Sequence, residues 1–95
     1  MTIIQRLVKQ SYAARDYTTD LPTLALGLCE EAGEVGKAVN TFHNPKYIPS
    51  EHNHSDSVEH ELIDTMIYLF GIANVLDIDL ETVVVTKLLN RTGLV

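Results

Sequence analysis

Apolar residues recur at helical spacing along most of the chain and are interrupted by polar or turn-forming stretches, so the pattern predicts helices rather than strands. Thr2 can cap a first helix running to about Arg15, with Ile4, Leu7, Val8 and Ser11 on its inner side. Asp20 caps a second that runs toward Thr41, and Pro22 is tolerated in its first turn. The apolar stripe of this helix is Leu24, Leu28, Val35, Ala38 and Phe42. Residues 43–57, HNPKYIPSEHNHSDS, are polar, hold Pro45 and Pro49, and read as a long loop of the kind that is often functional or mobile. Asp56 or Ser57 then caps a third helix to about Leu76, with the stripe Val58, Leu62, Leu69, Ile72 and Leu76. A fourth begins after Asp77 or Asp79 and ends near Asn90, with Gly93 as a stop signal. Val83, Val84 and Val85 also suit a strand, but a lone strand has nothing to pair with. The expectation is all-α: a single four-helix, bundle-like domain over residues 1–95, with no internal repeat and no low-complexity tract.

Two details of the pattern point beyond an isolated bundle. Gly27, Gly33 and Gly36 lie inside the second helix, where a glycine costs about 1 kcal/mol relative to alanine. Either they are simply tolerated, or another helix or a ligand approaches the backbone closely there. The third helix is apolar on nearly all sides from Leu62 to Ala73, more hydrophobic surface than three neighbours in so small a domain can cover. Burial at a subunit interface is the expectation, in a homo-oligomer that is a two-fold homodimer or a dimer of dimers.

Five carboxylates stand out against this background: Glu30, Glu31 and Glu34 in LCEEAGEVGKAV, then Glu61 and Asp64 in EHELIDTMIYLF. At about 100° per residue, the first three fall within an arc of roughly 100° and the other two lie about 60° apart, so each block is one acidic patch. Glu31 falls near the middle of the second helix's stripe, with Glu34 on its flank, while Glu61 sits on the shoulder of the third helix's stripe and Asp64 further round among apolar residues. Like charges about 4 Å apart repel by about 4 kcal/mol at an effective dielectric near 20. Lys37, one turn beyond Glu34, is the single local countercharge. Either several of these acids are protonated or a cation fills the gap, and such a grouping of carboxylates favours a hard divalent ion such as Mg²⁺.

Composition agrees that the acids are concentrated there. The formal charge is −6, from 13 acids and 7 bases, and without the motif acids the chain is nearly balanced. With a pI of about 5.0 and no basic run, a nucleic acid polymer is not expected as a partner. The single Cys29 excludes an intramolecular disulfide, no apolar run reaches membrane-spanning length, and Met1 is not followed by a secretory signal pattern. A soluble cytoplasmic protein without a membrane partner is the expectation.

EExxE at 30–34, followed by ExxD at 61–64 after 26 intervening residues, resembles the signature of the all-alpha nucleoside triphosphate pyrophosphohydrolases, the MazG-like group. The resemblance extends from about Leu24 to Arg91. It implies a helical oligomer that uses Mg²⁺ to split a nucleoside triphosphate, expected to be a deoxyribonucleotide, into the monophosphate and pyrophosphate, in a house-cleaning role on the nucleotide pool. It also implies Glu31, Glu34, Glu61 and Asp64 as Mg²⁺ ligands. Glu30, the first acid of the motif, joins them as a catalytic residue that orients a ligand or helps activate water. The charges are compatible with this, because an anionic substrate and an acidic site can share a bridging cation.

Stabilising the leaving pyrophosphate needs cations or amide donors. Lys87, Asn90 and Arg91, one turn apart in TKLLNRTG, are the candidates for substrate binding, since similar proteins carry such residues after ExxD. Their other reading is favourable charge at a helix C-terminus. Tyr68, one turn after Asp64, resembles a tyrosine that contacts a phosphate or ligand in relatives, and equally suits a core ring with its hydroxyl satisfied. Tyr12, Tyr17, Phe42 and Tyr47 are candidates for stacking the base. His43, His52, His54 and His60 read as incidental loop histidines, because HELID at 60–64 has Asp64 where a zinc helix needs its second histidine. Cys29 reads as a small core residue. The alternative to an enzyme is a non-catalytic, metal-binding helical oligomerisation module with the same carboxylates as a structural site.

Overall fold

Each helix begins at a side chain that closes its first turn, and the computed structural model, which describes residues 1–48 and 57–93, shows all of these caps. Thr2 Oγ1 accepts from the Gln5 N–H at 3.0 Å and opens α1 (Ile3–Arg15). Asp20 accepts from the Thr23 N–H at 3.1 Å and opens α2 (Leu21–Phe42), with a proline in its first turn. Ser57 Oγ accepts from the His60 N–H at 3.0 Å and opens α3 (Val58–Val75). Asp79 accepts from the Thr82 N–H and opens α4 (Leu80–Thr92), which stops at Gly93 in the left-handed conformation with φ 72°. Such caps stabilise a helix by about 1 kcal/mol each. There is no strand among the described residues. Among the described residues, no helix is long and apolar enough to cross a membrane. The expected cap at Asp56 falls outside the described residues, as do Pro49, His52 and His54.

The central element is α3, against which α1 and α2 both pack. Gln5 and Tyr12 of α1 meet Asn74 and Ile67 of α3, so these two helices run antiparallel. A small core of Val8, Tyr12 and Leu24 lies between the helices, with Ile67, Tyr68, Phe70 and Ile72 packed on it. Two glycines make room for rings. A Cβ on Gly27 of α2 would run into the Tyr68 ring, and one on Gly71 of α3 would run into the Tyr12 hydroxyl. Gly33 and Gly36 have open space around them instead.

Two faces differ from the sequence expectation. On α1 the buried positions are Gln5, Val8 and Tyr12, whereas Ile4, Leu7 and Ser11 are exposed. Gln5 takes an inner position because its amide is fully satisfied: Nε2 donates to Asn74 Oδ1 at 3.0 Å and to the Ile78 carbonyl at 2.7 Å, and Oε1 accepts from the Leu80 N–H at 3.2 Å. On α3, Leu62, Leu69 and Leu76 of the expected stripe are exposed, and Glu61, Gly71 and Ala73 are buried instead. A helix that is apolar all round carries little information about which face meets its neighbours. Cys29 is exposed rather than in the core, since it lies on the side of α2 opposite Glu31.

No residue of α4 is buried, and Val83, Val84, Val85 and Leu88 are exposed along it. The radius of gyration is 16.1 Å, against about 12 Å for a compact chain of this length.

Candidate functional site

The antiparallel packing of α2 on α3 sets Glu31, in the middle of α2, against the first two turns of α3. Glu31, Glu61 and Asp64 each offer a carboxylate oxygen, and these oxygens all lie within 4.8 Å of one another. Glu61 is only 8% exposed, in the first turn of α3, where the unpaired N–H groups of the helix start favour negative charge. Thr65 Oγ1 donates to the Glu61 carbonyl at 2.8 Å and braces the same turn. Asp64 is half-buried, and His60, one turn earlier on α3, places Nε2 3.1 Å from Asp64 Oδ2.

Among the described residues, no lysine or arginine nitrogen lies within 4.0 Å of these carboxylates. Burial, then the charges of Asp64 and Glu61 and a hydrogen bond with the Glu61 side chain, push the Glu31 carboxyl above its ordinary value. An oxygen-only donor set from two rigid helices suits a hard divalent cation.

The remaining motif acids lie at the edge of this group. Glu30 and Glu34 are exposed, and helical geometry puts both on the same flank of α2, about 100° and 60° round from Glu31. Lys37 is exposed further along and makes no ion pair with Glu34 within 4.0 Å.

Glu31 and Asp64 also form part of the wall of a cleft of about 660 Å³ between α1, the turn after it, α2 and α3. Tyr12, Tyr17 and Tyr68 line it. Tyr12 and Tyr17 meet edge to face with centroids 5.2 Å apart, and the Tyr12 hydroxyl donates to the Ile67 carbonyl at 3.2 Å. The Tyr68 ring lies over Gly27, and the residue also lines the cleft. Phe42 and Tyr47 pack on each other near the C-terminal end of α2, with centroids 5.6 Å apart, and do not line the cleft.

Lys87, Asn90 and Arg91 share one face of α4, along a groove of about 570 Å³ that also takes in Thr82 and Thr86. No residue lines both this groove and the acidic cleft. His60, read in the sequence as an incidental loop histidine, lies instead in the first turn of α3 beside Asp64, and Arg15 was not among the sequence candidates. His60 carries a readable signal, the one-turn spacing to Asp64. Arg15 lines the cleft with Glu31 and Asp64, and no local pattern announces it.

Comparison with known proteins gives one result. The family model of the MazG nucleotide pyrophosphohydrolase domain matches residues 20–93, more than three quarters of the chain, including both acidic blocks and α4. No curated protein and no solved structure matches the chain.

Proposed function

Because the chain belongs to the MazG nucleotide pyrophosphohydrolase family, we propose that it hydrolyses nucleoside triphosphates to monophosphates and pyrophosphate at the centre formed by Glu31, Glu61 and Asp64. The observation that carries this reading is the convergence of three carboxylate oxygens within 4.8 Å, with no lysine or arginine nitrogen within 4.0 Å of them among the described residues, at a cleft of nucleotide size. Glu31, Glu61 and Asp64 would hold Mg²⁺, and Glu34 is assigned to the same centre by its place in the motif. The ion, when bound, would neutralise the acids and polarise the phosphoryl group.

The chain's own residues then have defined tasks. A water oxygen bonds to the α-phosphorus, and the bond from that phosphorus to the bridging oxygen breaks, its electron pair leaving with pyrophosphate. The water proton passes to a carboxylate, a role assigned to Glu30 at the rim. Tyr12, Tyr17 and Tyr68 offer faces for the base and sugar. Deoxyribonucleotides as substrates, and removal of surplus or aberrant nucleotides as the role, rest on the family alone.

Lys87, Asn90 and Arg91 are assigned to the phosphates bound by a second copy of the chain. Supporting this are the exposed apolar face of α4, the exposed leucines of α3 and the open shape of the single chain. A homodimer would cover those faces and bring α4 of one copy to the acids of the other.

The test is a panel of ribo- and deoxyribonucleoside triphosphates incubated with Mg²⁺ or with EDTA, with the products identified. Monophosphate and pyrophosphate released only with Mg²⁺ is the expected result. Diphosphate and phosphate as the products, or no turnover of any member, would contradict the reading.

A further inference from the structure

Among the described residues, Arg15 is the only basic side chain lining the cleft that holds Glu31 and Asp64. Its position follows from the antiparallel register of α1 and α3. Tyr12 is fastened to Ile67 by its hydroxyl, so one turn forward on α1 and one turn back on α3 bring Arg15 to the level of Asp64. The same register carries Ile4 and Leu7 away from the acids, along the apolar part of the cleft. Yet Arg15 is not spent on the acids. It is exposed, has no carboxylate oxygen within 4.0 Å among the described residues, and uses one nitrogen, Nη1, in a weak contact of 3.4 Å to Tyr17 Oη.

We propose that Arg15 is a phosphate-binding residue of this cleft, holding the pyrophosphate part of a triphosphate bound at the centre of Glu31, Glu61 and Asp64. The inference rests on the pyrophosphohydrolase reading and adds to it a cation from the same chain as the acids. A guanidinium presents a planar fork of donors that matches two phosphate oxygens. As the bond between the α-phosphorus and the bridging oxygen breaks, negative charge accumulates on pyrophosphate, and a fixed cation lowers the cost of that charge. Favourable charge at the C-terminus of α1 accounts for an arginine in the last turn. It does not account for a side chain that borders an acidic cleft without making an ion pair to its acids.

The test measures binding of inorganic pyrophosphate in the presence of Mg²⁺ by calorimetry, using Arg15→Gln, Arg15→Lys and the control Lys9→Gln. Lys9 is an exposed base on α1 that does not line the cleft, so its variant removes the same charge elsewhere. Arg15→Gln is expected to weaken pyrophosphate binding about tenfold to a hundredfold, the range for losing a hydrogen bond to a charged group. Arg15→Lys recovers part of the loss, and Lys9→Gln binds like wild type. Binding of Mn²⁺ without pyrophosphate, read by electron paramagnetic resonance, stays at the wild-type level in Arg15→Gln. Wild-type affinity for pyrophosphate in Arg15→Gln, or an equal loss in Lys9→Gln, overturns the role of Arg15 and leaves the pyrophosphohydrolase reading standing. A wild-type protein that neither binds pyrophosphate nor turns over triphosphates overturns both.

Discussion

His60 Nε2 lies 3.1 Å from Asp64 Oδ2, one turn apart on α3. A carboxylate held on one oxygen has fewer orientations to lose when the other oxygen takes a metal ion. Partners of this kind typically alter metal affinity by about ten- to a hundredfold. His60→Ala is therefore expected to weaken Mn²⁺ binding by about tenfold while leaving the helical circular dichroism unchanged. Unaltered metal affinity would show that Asp64 needs no such support.

The Glu31 carboxyl has its proton affinity raised by burial and by its acidic neighbours, so the folded chain takes up a proton there at a higher pH than the unfolded chain does. Stability of the metal-free protein then falls as pH rises from the ordinary carboxyl value of 4.5 through the raised one, because over that window the folded state binds more protons. Mg²⁺ competes with the same proton, and its affinity rises over the same window. Melting curves across that range, with EDTA and with Mg²⁺, check both signs. Glu31→Gln is expected to flatten the pH dependence of the metal-free protein and to raise its melting temperature.

Close packing separates the glycines of α2. Gly27→Ala drives a methyl group into the Tyr68 ring and is expected to cost about 1–3 kcal/mol, the usual cost of overpacking. Gly33→Ala meets nothing within 4 Å and is expected to stabilise the helix by up to about 1 kcal/mol. Denaturant midpoints of the two variants should move in opposite directions.

The helices were legible because their ends are local. Thr2, Asp20, Ser57, Asp79 and Gly93 act on the backbone within a turn of themselves, and their residue types state that role. The acidic blocks were legible as patches because helical spacing alone puts each block on one face. What packs on what was not. α3 is apolar all round, so its periodicity could not show that the face with Glu61 and Gly71 is buried and the leucine face left open. The burial of Gln5 depends on Asn74, Ile78 and Leu80, some seventy residues away. Arg15 reaches the acids' cleft only through the register of α1 on α3, a tertiary fact with no sequence signature.

The separation of Lys87 from the acids within one chain gives the dimeric arrangement a direct consequence. If α4 serves the partner's acids, inactive Glu61→Gln and inactive Lys87→Ala recover activity when they are mixed and allowed to exchange subunits. Half of the resulting dimers are mixed, and each has one intact site, so about a quarter of wild-type activity is expected for a two-fold dimer. Persistent inactivity of the mixture, with exchange verified by mass, would place Lys87 in the same chain's site.

The centre itself is tested most directly by the rate of Mg²⁺-dependent pyrophosphate release from a nucleoside triphosphate in wild type and in Glu61→Gln. Glutamine keeps the shape of this buried side chain and removes its charge. A metal centre that contributes several kcal/mol to catalysis predicts a loss of at least about a hundredfold, with the fold intact by circular dichroism. Wild-type rates in a folded Glu61→Gln would contradict a centre built on these carboxylates.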